Sequence, residues 1–221
     1  MKFAGWQKLS LTDYPKKVAM TLFTSGCNFN CKYCHNKSLI KKIEGNISEE
    51  EVFSYFQKRY HLLDALVVSG GEPTLYGQDL VHFAKHFKEK FPERLLKIDT
   101  NGSSPDMIRK LSQIADFCAM DFKALDYSPF STVSMKGIEA SLKEIQSFNH
   151  FEIRITLFPE YVNFENLSSI IEILRRNNIN KITLQKYRPL EINERNFSDY
   201  EIKKINDIIC NNGVNSIIRG V

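Results

Sequence analysis

The segment Val18-Ala-Met-Thr-Leu-Phe-Thr-Ser-Gly-Cys-Asn-Phe-Asn-Cys-Lys-Tyr-Cys-His-Asn36 joins an apolar run to a loop with three cysteines. The run Val18–Thr24 is rich in β-forming side chains and predicts a buried strand. In parallel α/β folds, chemically active side chains lie at the carboxyl ends of the strands. The segment therefore predicts an α/β fold whose site begins with the loop that follows this strand.

Cys27, Cys31 and Cys34 have the spacing Cys-x3-Cys-x2-Cys, without a fourth cysteine nearby. A ferredoxin-type cluster takes four cysteines, so three suit a [4Fe–4S] cluster with one iron left open for chemistry. Two alternatives are weaker. A zinc site completed by His35 would need the adjacent Cys34 and His35 to converge on one ion. A disulfide would leave an odd cysteine in a chain whose first ten residues lack the apolar core of a signal peptide.

Composition favours one globular domain spanning residues 1–221, with its core at about 17–190. The chain has 221 residues, 43% of them hydrophobic, and a net charge of +4 from 30 basic and 26 acidic side chains. Basic pairs such as Lys41-Lys42 are scattered and not interleaved with aromatic residues, which argues against nucleic-acid binding. No apolar run reaches membrane-spanning length, so we expect a soluble, cytoplasmic protein without a membrane partner.

Six apolar runs alternate with helical patterns along the chain. The predicted strands are 18–24, 65–69, 95–100, 116–122, 151–157 and 181–186. Helices are indicated by a capping box at Ser48, by Ser104-Pro105, by apolar periodicity over 165–177, and by Ser198, which opens a last helix to about Asn211. Because strand–helix units build parallel sheets with right-handed crossovers, and six are too few for a closed eight-stranded barrel, the pattern predicts an open partial (β/α)6 barrel.

Polar side chains collect where these predicted strands end. The candidate site residues beyond the cysteine loop are Gly70, Gly71, Glu72, Asp99, Thr100, Asn101, Asp121, Lys123, Arg154 and Gln185. Taken singly, Gly70-Gly71 could be an ordinary turn, and Asp121 with Lys123 a simple ion pair. Cys118 and Cys210 are predicted to be buried, inert thiols, and the histidines outside the loop to be structural or surface residues. Their common position at one rim favours a functional site.

In sequence, these residues resemble the radical S-adenosylmethionine (SAM) enzymes, and more narrowly the activating enzymes of glycyl radical enzymes. The resemblance rests on the cysteine loop, then Gly-Gly-Glu-Pro at 70–73, Asp-Thr-Asn-Gly at 99–102, Asp-x-Lys at 121–123 and Arg-Ile-x-Leu-x-Pro at 154–159. Leu9-Ser-Leu-Thr-Asp-Tyr-Pro15 is most similar to activators of the anaerobic ribonucleoside-triphosphate reductase. Those relatives usually have Gly where this chain has Lys16.

The resemblance implies two cofactors, a [4Fe–4S] cluster and SAM, and a role for each site residue. Cys27, Cys31 and Cys34 would hold the cluster and pass an electron to SAM. The implied SAM contacts are Tyr33 and His35 near the adenine, Gly70, Gly71 and Glu72 at the ammonium, Asp121 and Lys123 at the ribose and methionine groups, and Arg154 at the carboxylate. Asp99, Thr100, Asn101 and Gln185 complete the implied cofactor-binding rim.

The implied partner is a glycyl radical enzyme, namely an anaerobic ribonucleotide reductase. Cys118 and Cys210 are too few to build a second cluster, so flavodoxin or ferredoxin would supply the electron. Two other functions stay open. One is a radical SAM enzyme acting on a small molecule, such as a 7-carboxy-7-deazaguanine synthase. The other is an electron-transfer or structural iron–sulfur protein that ignores SAM.

Overall fold

The computed structural model describes residues 1–190 and 194–220. In chain order its strands are β1 (Lys2–Phe3), β2 (Gly5–Ser10), β3 (Ala19–Thr24), β4 (Ile47–Ser48), β5 (Ala65–Gly70), β6 (Leu95–Thr100), β7 (Phe117–Asp121), β8 (His150–Leu157), β9 (Lys181–Lys186) and β10 (Asn215–Arg219). Its α-helices are α1 (Glu49–Lys58), α2 (Gln78–Lys90), α3 (Pro105–Leu111), α4 (Met135–Glu144), α5 (Leu167–Arg176) and α6 (Asp199–Asn211).

Eight of the strands form one sheet in the order β10-β9-β8-β7-β6-β5-β3-β2. All neighbours in it are parallel except the edge pair β2 and β3. The six predicted strands are β3 and β5 to β9, and they are consecutive in the sheet. In the described chain β2 and β10 lie at opposite edges and do not pair, so the sheet is an open partial barrel.

The two edge strands are additions to the predicted six. β2 has the sequence Gly-Trp-Gln-Lys-Leu-Ser and is mostly exposed or half-buried, as an edge strand can be. β10 is a five-residue strand, also partly exposed, that follows the last helix directly. Neither carries the continuous apolar run by which the six central strands are recognised.

Helix starts follow the capping residues in the sequence. Ser48 and Ser198 each form a full capping box. The serine hydroxyl accepts the backbone N–H of the glutamate three residues on, Glu51 or Glu201, and the carboxylate of that glutamate accepts the serine N–H. Ser104 precedes α3 but makes no side-chain cap bond, and Pro105 alone marks that start. No helix in the described part of the chain is long and apolar enough to cross a membrane.

The two faces of the sheet are packed differently. One face packs its large apolar side chains against the helices in the main core. The inner face holds a small separate cluster of Tyr14, Ala19, Ala65, Val67 and Phe117. Since Ala19, Ala65 and Phe117 are the first residues of their strands, Tyr14 lies at the amino end of the barrel. We call residues 11–17 the floor segment, because it lies at the end of the barrel opposite the cysteine loop.

Candidate functional site

A cavity of about 410 Å³ lies at the carboxyl ends of the central strands. The structure brings all fifteen sequence-predicted site residues to its wall: Cys27, Cys31, Tyr33, Cys34, His35, Gly70, Gly71, Glu72, Asp99, Thr100, Asn101, Asp121, Lys123, Arg154 and Gln185. The placement of these residues is thus a finding, and the role of each stays a prediction.

Other lining residues carry weak sequence signals. They are Phe29, Asn36, Ile40, Ser69, Thr156, Lys186, Tyr187 and Arg188. Thr156 lies two residues after Arg154 on β8, so strand alternation puts both on one face. Ser69 immediately precedes the glycine pair. Thr156 and Ser69 could both have been found by following the alternation of inward and outward side chains to the end of each strand.

Backbone bonds hold the cysteine loop at the cavity mouth. The Gly26 N–H donates to the Leu39 carbonyl at 2.8 Å, and the Cys27 N–H to the Ile40 carbonyl at 2.9 Å. Within the loop, the Cys34 N–H donates to the Cys31 carbonyl at 3.2 Å. Residues 39–40 therefore brace the loop from behind and leave the three thiols on the cavity side.

Among the three thiols, Cys31 is buried and Cys27 and Cys34 are half-buried. Burial raises the pKa of Cys27, and it raises the pKa of Cys31 to about 11 although nearby Lys123 lowers it. A metal centre that binds here has to displace thiol protons, because thiolates are the metal ligands.

The donor set fits an iron–sulfur cluster. Three soft sulfur donors share one loop and one cavity. Among the described residues, no three His, Cys, Asp or Glu side chains converge on a single-ion site. A cluster does not require convergence on one ion, since each cysteine binds a different iron. The three cysteines at this cavity therefore suit the cluster that their spacing predicts.

The glycine loop packs backbone against backbone on the cysteine loop. Gly70 has φ of +120°, and a Cβ there would lie 2.3 Å from the Thr24 nitrogen. A Cβ on Gly71 would lie 2.2 Å from the Gly26 carbonyl oxygen. The next residue, Glu72, donates its N–H to that same oxygen at 2.8 Å. Only glycine allows this approach, so the pair does more than form an ordinary turn.

Glu72 is completely buried and binds four donors. Its carboxylate accepts the N–H and the hydroxyl of Thr74 at 3.1 and 2.6 Å. It also accepts the Thr100 hydroxyl at 2.8 Å and the Asn101 N–H at 2.6 Å. Burial raises the pKa of Glu72 against the opposing effect of these bonds. Glu72 therefore joins the loop after β5 to the loop after β6, in addition to lining the cavity.

Asn101 extends this connection to the cysteine loop. Its Nδ2 donates to Asn28 Oδ1 at 2.9 Å and lies 3.8 Å from Cys27 Sγ. Its Oδ1 accepts the Ser103 N–H at 2.9 Å. The three loops after β3, β5 and β6 are thereby linked into one scaffold around the cavity.

Charged side chains form the opposite wall. Lys123 donates to Asp121 Oδ2 at 3.1 Å, and Arg154 Nε donates to Asp121 Oδ1 at 2.7 Å. A second contact joins Arg154 to Asp99 at 3.4 Å. Burial raises the pKa of Asp121, but Arg154 and Lys123 outweigh it and lower the pKa to about 2. Asp121 and Lys123 thus form the ion pair considered above, within a larger group that faces the cavity.

Aromatic side chains border the mouth near the last cysteine. Tyr33 is buried, with its ring centroid 5.2 Å from Phe158, and the ammonium of Lys123 lies 5.7 Å from the Tyr33 centroid. His35 is exposed, and its Nε2 is 3.1 Å from the Arg188 carbonyl oxygen. These planar groups give the mouth flat apolar surfaces of the kind a nucleobase stacks on.

The remaining cysteines and histidines lie away from the cavity. Cys118 is buried in β7 as predicted, but Cys210 is exposed near the end of α6, which corrects the prediction that it is buried. The helix periodicity of α6 places Cys210 on its solvent side, next to Ile209 on the core side. His61, His82, His86 and His150 are exposed.

Comparison with known proteins gives a family match over most of the chain. Residues 21–183 match the family model described as the Radical SAM superfamily. A Methanocaldococcus jannaschii protein, assigned by name to the glycyl-radical enzyme activating enzymes, is 30% identical over 93% of this chain and 88% of its own length. The pyruvate formate-lyase-activating enzyme of Clostridium pasteurianum is 24% identical over 90% and 88%.

Two further matches are an enzyme that is named for a different reaction and a solved structure that is similar in fold. A 7-carboxy-7-deazaguanine synthase of Thermococcus kodakarensis is 21% identical over 80% of this chain and 77% of its own. The crystal structure of a radical SAM methyltransferase from Sphaerobacter thermophilus superposes with a TM-score of 0.72 over 94% of this chain and 67% of its own, at 14% identity. At that identity the structural match is a match of fold.

Proposed function

Since the chain belongs to the Radical SAM superfamily, we propose that it activates an anaerobic ribonucleoside-triphosphate reductase by removing hydrogen from a glycine of that enzyme. At family level its relatives are glycyl-radical enzyme activating enzymes. The family implies a [4Fe–4S] cluster and SAM as cofactors. When bound, they supply a one-electron cleavage that yields an organic radical.

The chain's own residues have distinct tasks in this proposal. Cys27, Cys31 and Cys34 hold the cluster. Asp121 and Arg154, half-buried and paired at 2.7 Å, hold the polar groups of SAM by charge-assisted bonds. Tyr33 and His35 border the adenine. The buried Glu72 keeps the surrounding loops in register, so that the reacting groups stay in a fixed geometry.

One observation carries the choice of target. The stretch Leu9–Pro15, followed by residues 18–29, resembles the activators of the anaerobic reductase more than those of other glycyl radical enzymes. In the fold this stretch is the end of β2 and the floor segment. Within residues 1–190 and 194–220, the outer edges of β2 and β10 pair with no other strand and leave the barrel open on one side, which suits a protein loop as substrate.

The electron would come from a separate protein, flavodoxin or ferredoxin. Apart from the cysteine loop, the chain has only Cys118 and Cys210. One is buried in β7 and the other is exposed near the end of α6, so the two cannot supply a second cluster.

The test combines cluster-loaded protein, a chemical reductant, SAM and the anaerobic reductase without oxygen. We expect a glycyl-radical doublet in the EPR spectrum, and none when the radical-bearing glycine of the reductase is changed to alanine. A doublet formed only on another glycyl radical enzyme would reject the reductase as the target. The match to a deazaguanine synthase favours one further candidate, turnover of a small nucleobase precursor, and that precursor is the second substrate to assay.

A further inference from the structure

Lys97 is a buried lysine inside the barrel, and no sequence pattern above points to it. It lies on β6 two residues before Asp99, so the two side chains project from the same face. Its side chain is 2% exposed. A buried ammonium is stable only when it is paired, because leaving water costs several kcal/mol. Its partners therefore indicate what it does.

Lys97 has partners on two sides. Its Nζ donates to the backbone carbonyl of Asp13 in the floor segment at 2.6 Å. The same atom lies 2.9 Å from Asp99 Oδ1, which is an ion pair by distance without hydrogen-bond geometry. The Asp13 carboxylate accepts the Thr21 hydroxyl at 2.5 Å, which fixes the floor segment to β3. Lys97 thus connects the floor of the barrel to the cavity wall.

From Asp99 the contacts continue along the wall. Arg154 lies 3.4 Å from Asp99 Oδ2 and 2.7 Å from Asp121 Oδ1, and Lys123 lies 3.1 Å from Asp121 Oδ2. Charges alternate along these five side chains, which we call the charge chain: Lys97, Asp99, Arg154, Asp121 and Lys123. Four of them line the cavity, and Lys97 is the member that does not.

The charge chain explains why Lys97 matters to Arg154. Burial raises the pKa of Asp99, and Arg154 and Lys97 together outweigh it and lower the pKa below its usual value. Without Lys97, and with Asp121 still paired to Lys123 at 3.1 Å, the guanidinium of Arg154 would be the remaining cation against Asp99. We expect it to shift toward Asp99, and its free N–H groups would then point differently into the cavity.

We propose that Lys97 is a positioning residue of the SAM site: it pairs with Asp99, and so sets the position of the Arg154 guanidinium. This proposal rests on the proposed function, since it takes the cavity to be where SAM binds. The bond to Asp13 gives the floor segment a part in the same arrangement, although that segment lies at the far end of the barrel.

The test measures SAM affinity of cluster-loaded protein by calorimetry without oxygen. Lys97→Met is expected to weaken binding roughly 10-fold, the scale of about 1.4 kcal/mol, while iron content stays at the wild-type level. Lys97→Arg restores the charge and should recover part of the loss. The matched control is Lys88→Met. Lys88 also pairs with an aspartate, Asp116, at 2.9 Å and donates to a carbonyl, but Asp116, unlike Asp99, does not line the cavity.

A second comparison holds even if Lys97→Met alone does not fold. Asp99→Asn combined with Lys97→Met leaves no lone buried charge at this pair, so the double variant should fold. Because Lys97 acts through Asp99, the double variant should bind SAM as tightly as Asp99→Asn alone. A further loss in the double variant, or wild-type affinity in Lys97→Met, overturns the proposal.

The outcomes also separate this proposal from the proposed function. Wild-type protein that binds SAM but gives no glycyl radical rejects the target and leaves the Lys97 comparison valid. Equal SAM affinity of wild type and Lys97→Met rejects only the positioning role. Wild-type protein that loads the cluster but binds no SAM rejects both.

Discussion

The Glu72 carboxylate accepts the backbone N–H of Asn101 at 2.6 Å, and this bond joins the loops after two neighbouring strands. Glu72 is fully buried, so it holds the loops of the site together as well as lining the cavity. Asn101 in turn contacts Asn28 in the cysteine loop at 2.9 Å. The expected SAM ammonium contact at Glu72 would therefore be made by a carboxylate that the fold already fixes.

Glu72→Ala should destabilise the protein as well as weaken SAM binding. The change leaves the buried donors of Thr74, Thr100 and Asn101 without their acceptor, a loss of roughly 2–4 kcal/mol in the free energy of unfolding. Urea unfolding measures it. The control is Glu201→Ala, which removes the N3 glutamate of the α6 capping box and should cost clearly less than Glu72→Ala. Equal losses in the two variants would argue against the scaffold role.

Cys27, Cys31 and Cys34 should be the cluster ligands. Changing any one of them to alanine should remove most of the iron from protein reconstituted without oxygen, because each thiolate would bind a different iron. Iron content per chain and the visible absorbance measure it. Cys118→Ala and Cys210→Ala should keep their iron, and loss of the cluster in Cys118→Ala would refute this ligand assignment.

Arg154→Lys should weaken SAM binding while the cluster stays loaded. The substitution keeps the positive charge but loses the planar guanidinium that contacts both Asp99 and Asp121, and we expect a loss of about 1–3 kcal/mol in binding free energy. Equilibrium dialysis with labelled SAM measures it. Arg176→Lys is the matched control. Arg176 pairs with Glu139 at a distance of 2.5 Å, and neither residue lines the cavity. Equal affinity in both variants would remove Arg154 from the site.

Lys16→Gly should stabilise the protein. Lys17 donates its N–H to the Tyr14 carbonyl at 3.3 Å, which closes a turn with Pro15 second and Lys16 third. Lys16 has φ of +59°, a conformation that glycine adopts freely and a β-carbon disfavours. The gain should be about 0.5–1 kcal/mol after the entropy of the unfolded chain is counted.

Thermal unfolding of iron-loaded protein measures this gain, and Lys17→Gly is its control. Among the described non-glycine residues, only Lys16 and Asn178 have positive φ, so Lys17→Gly should be neutral or destabilising. A fall in stability with Lys16→Gly would contradict the strain argument.

The central sheet could be predicted because its strands are buried on both faces and read as continuous apolar runs. The end of each run then located a site residue, as with Asp121 at the end of β7 and Gln185 near the end of β9. The edge strands β2 and β10 gave no such run. Helices α2 and α4 were implied by the alternation of strands and helices, but their starts were not located, and neither begins with the capping box that marks α1 and α6.

Tertiary pairing was the part that sequence could not supply. Lys97 interrupts the apolar run Leu95–Ile98 and reads as an exposed position on an alternating strand, yet it is buried against Asp13 from a segment 84 residues away. The four donors on Glu72 come from two loops, and no local pattern shows that they meet. Cys210 shows the opposite error, because it was predicted to be buried and is exposed. Lone cysteines are buried on average, and that average does not fix the position of any one of them.

The most direct test of the central claim follows the hydrogen itself. The anaerobic reductase is prepared with its glycines deuterated at Cα and incubated with cluster-loaded protein, SAM and a reductant. Mass spectrometry of the 5′-deoxyadenosine product should then show deuterium, and the signal should vanish with a reductase whose radical-bearing glycine is alanine. Formation of 5′-deoxyadenosine without deuterium, in the presence of the intact reductase, would contradict the claim that this chain takes hydrogen from a glycine.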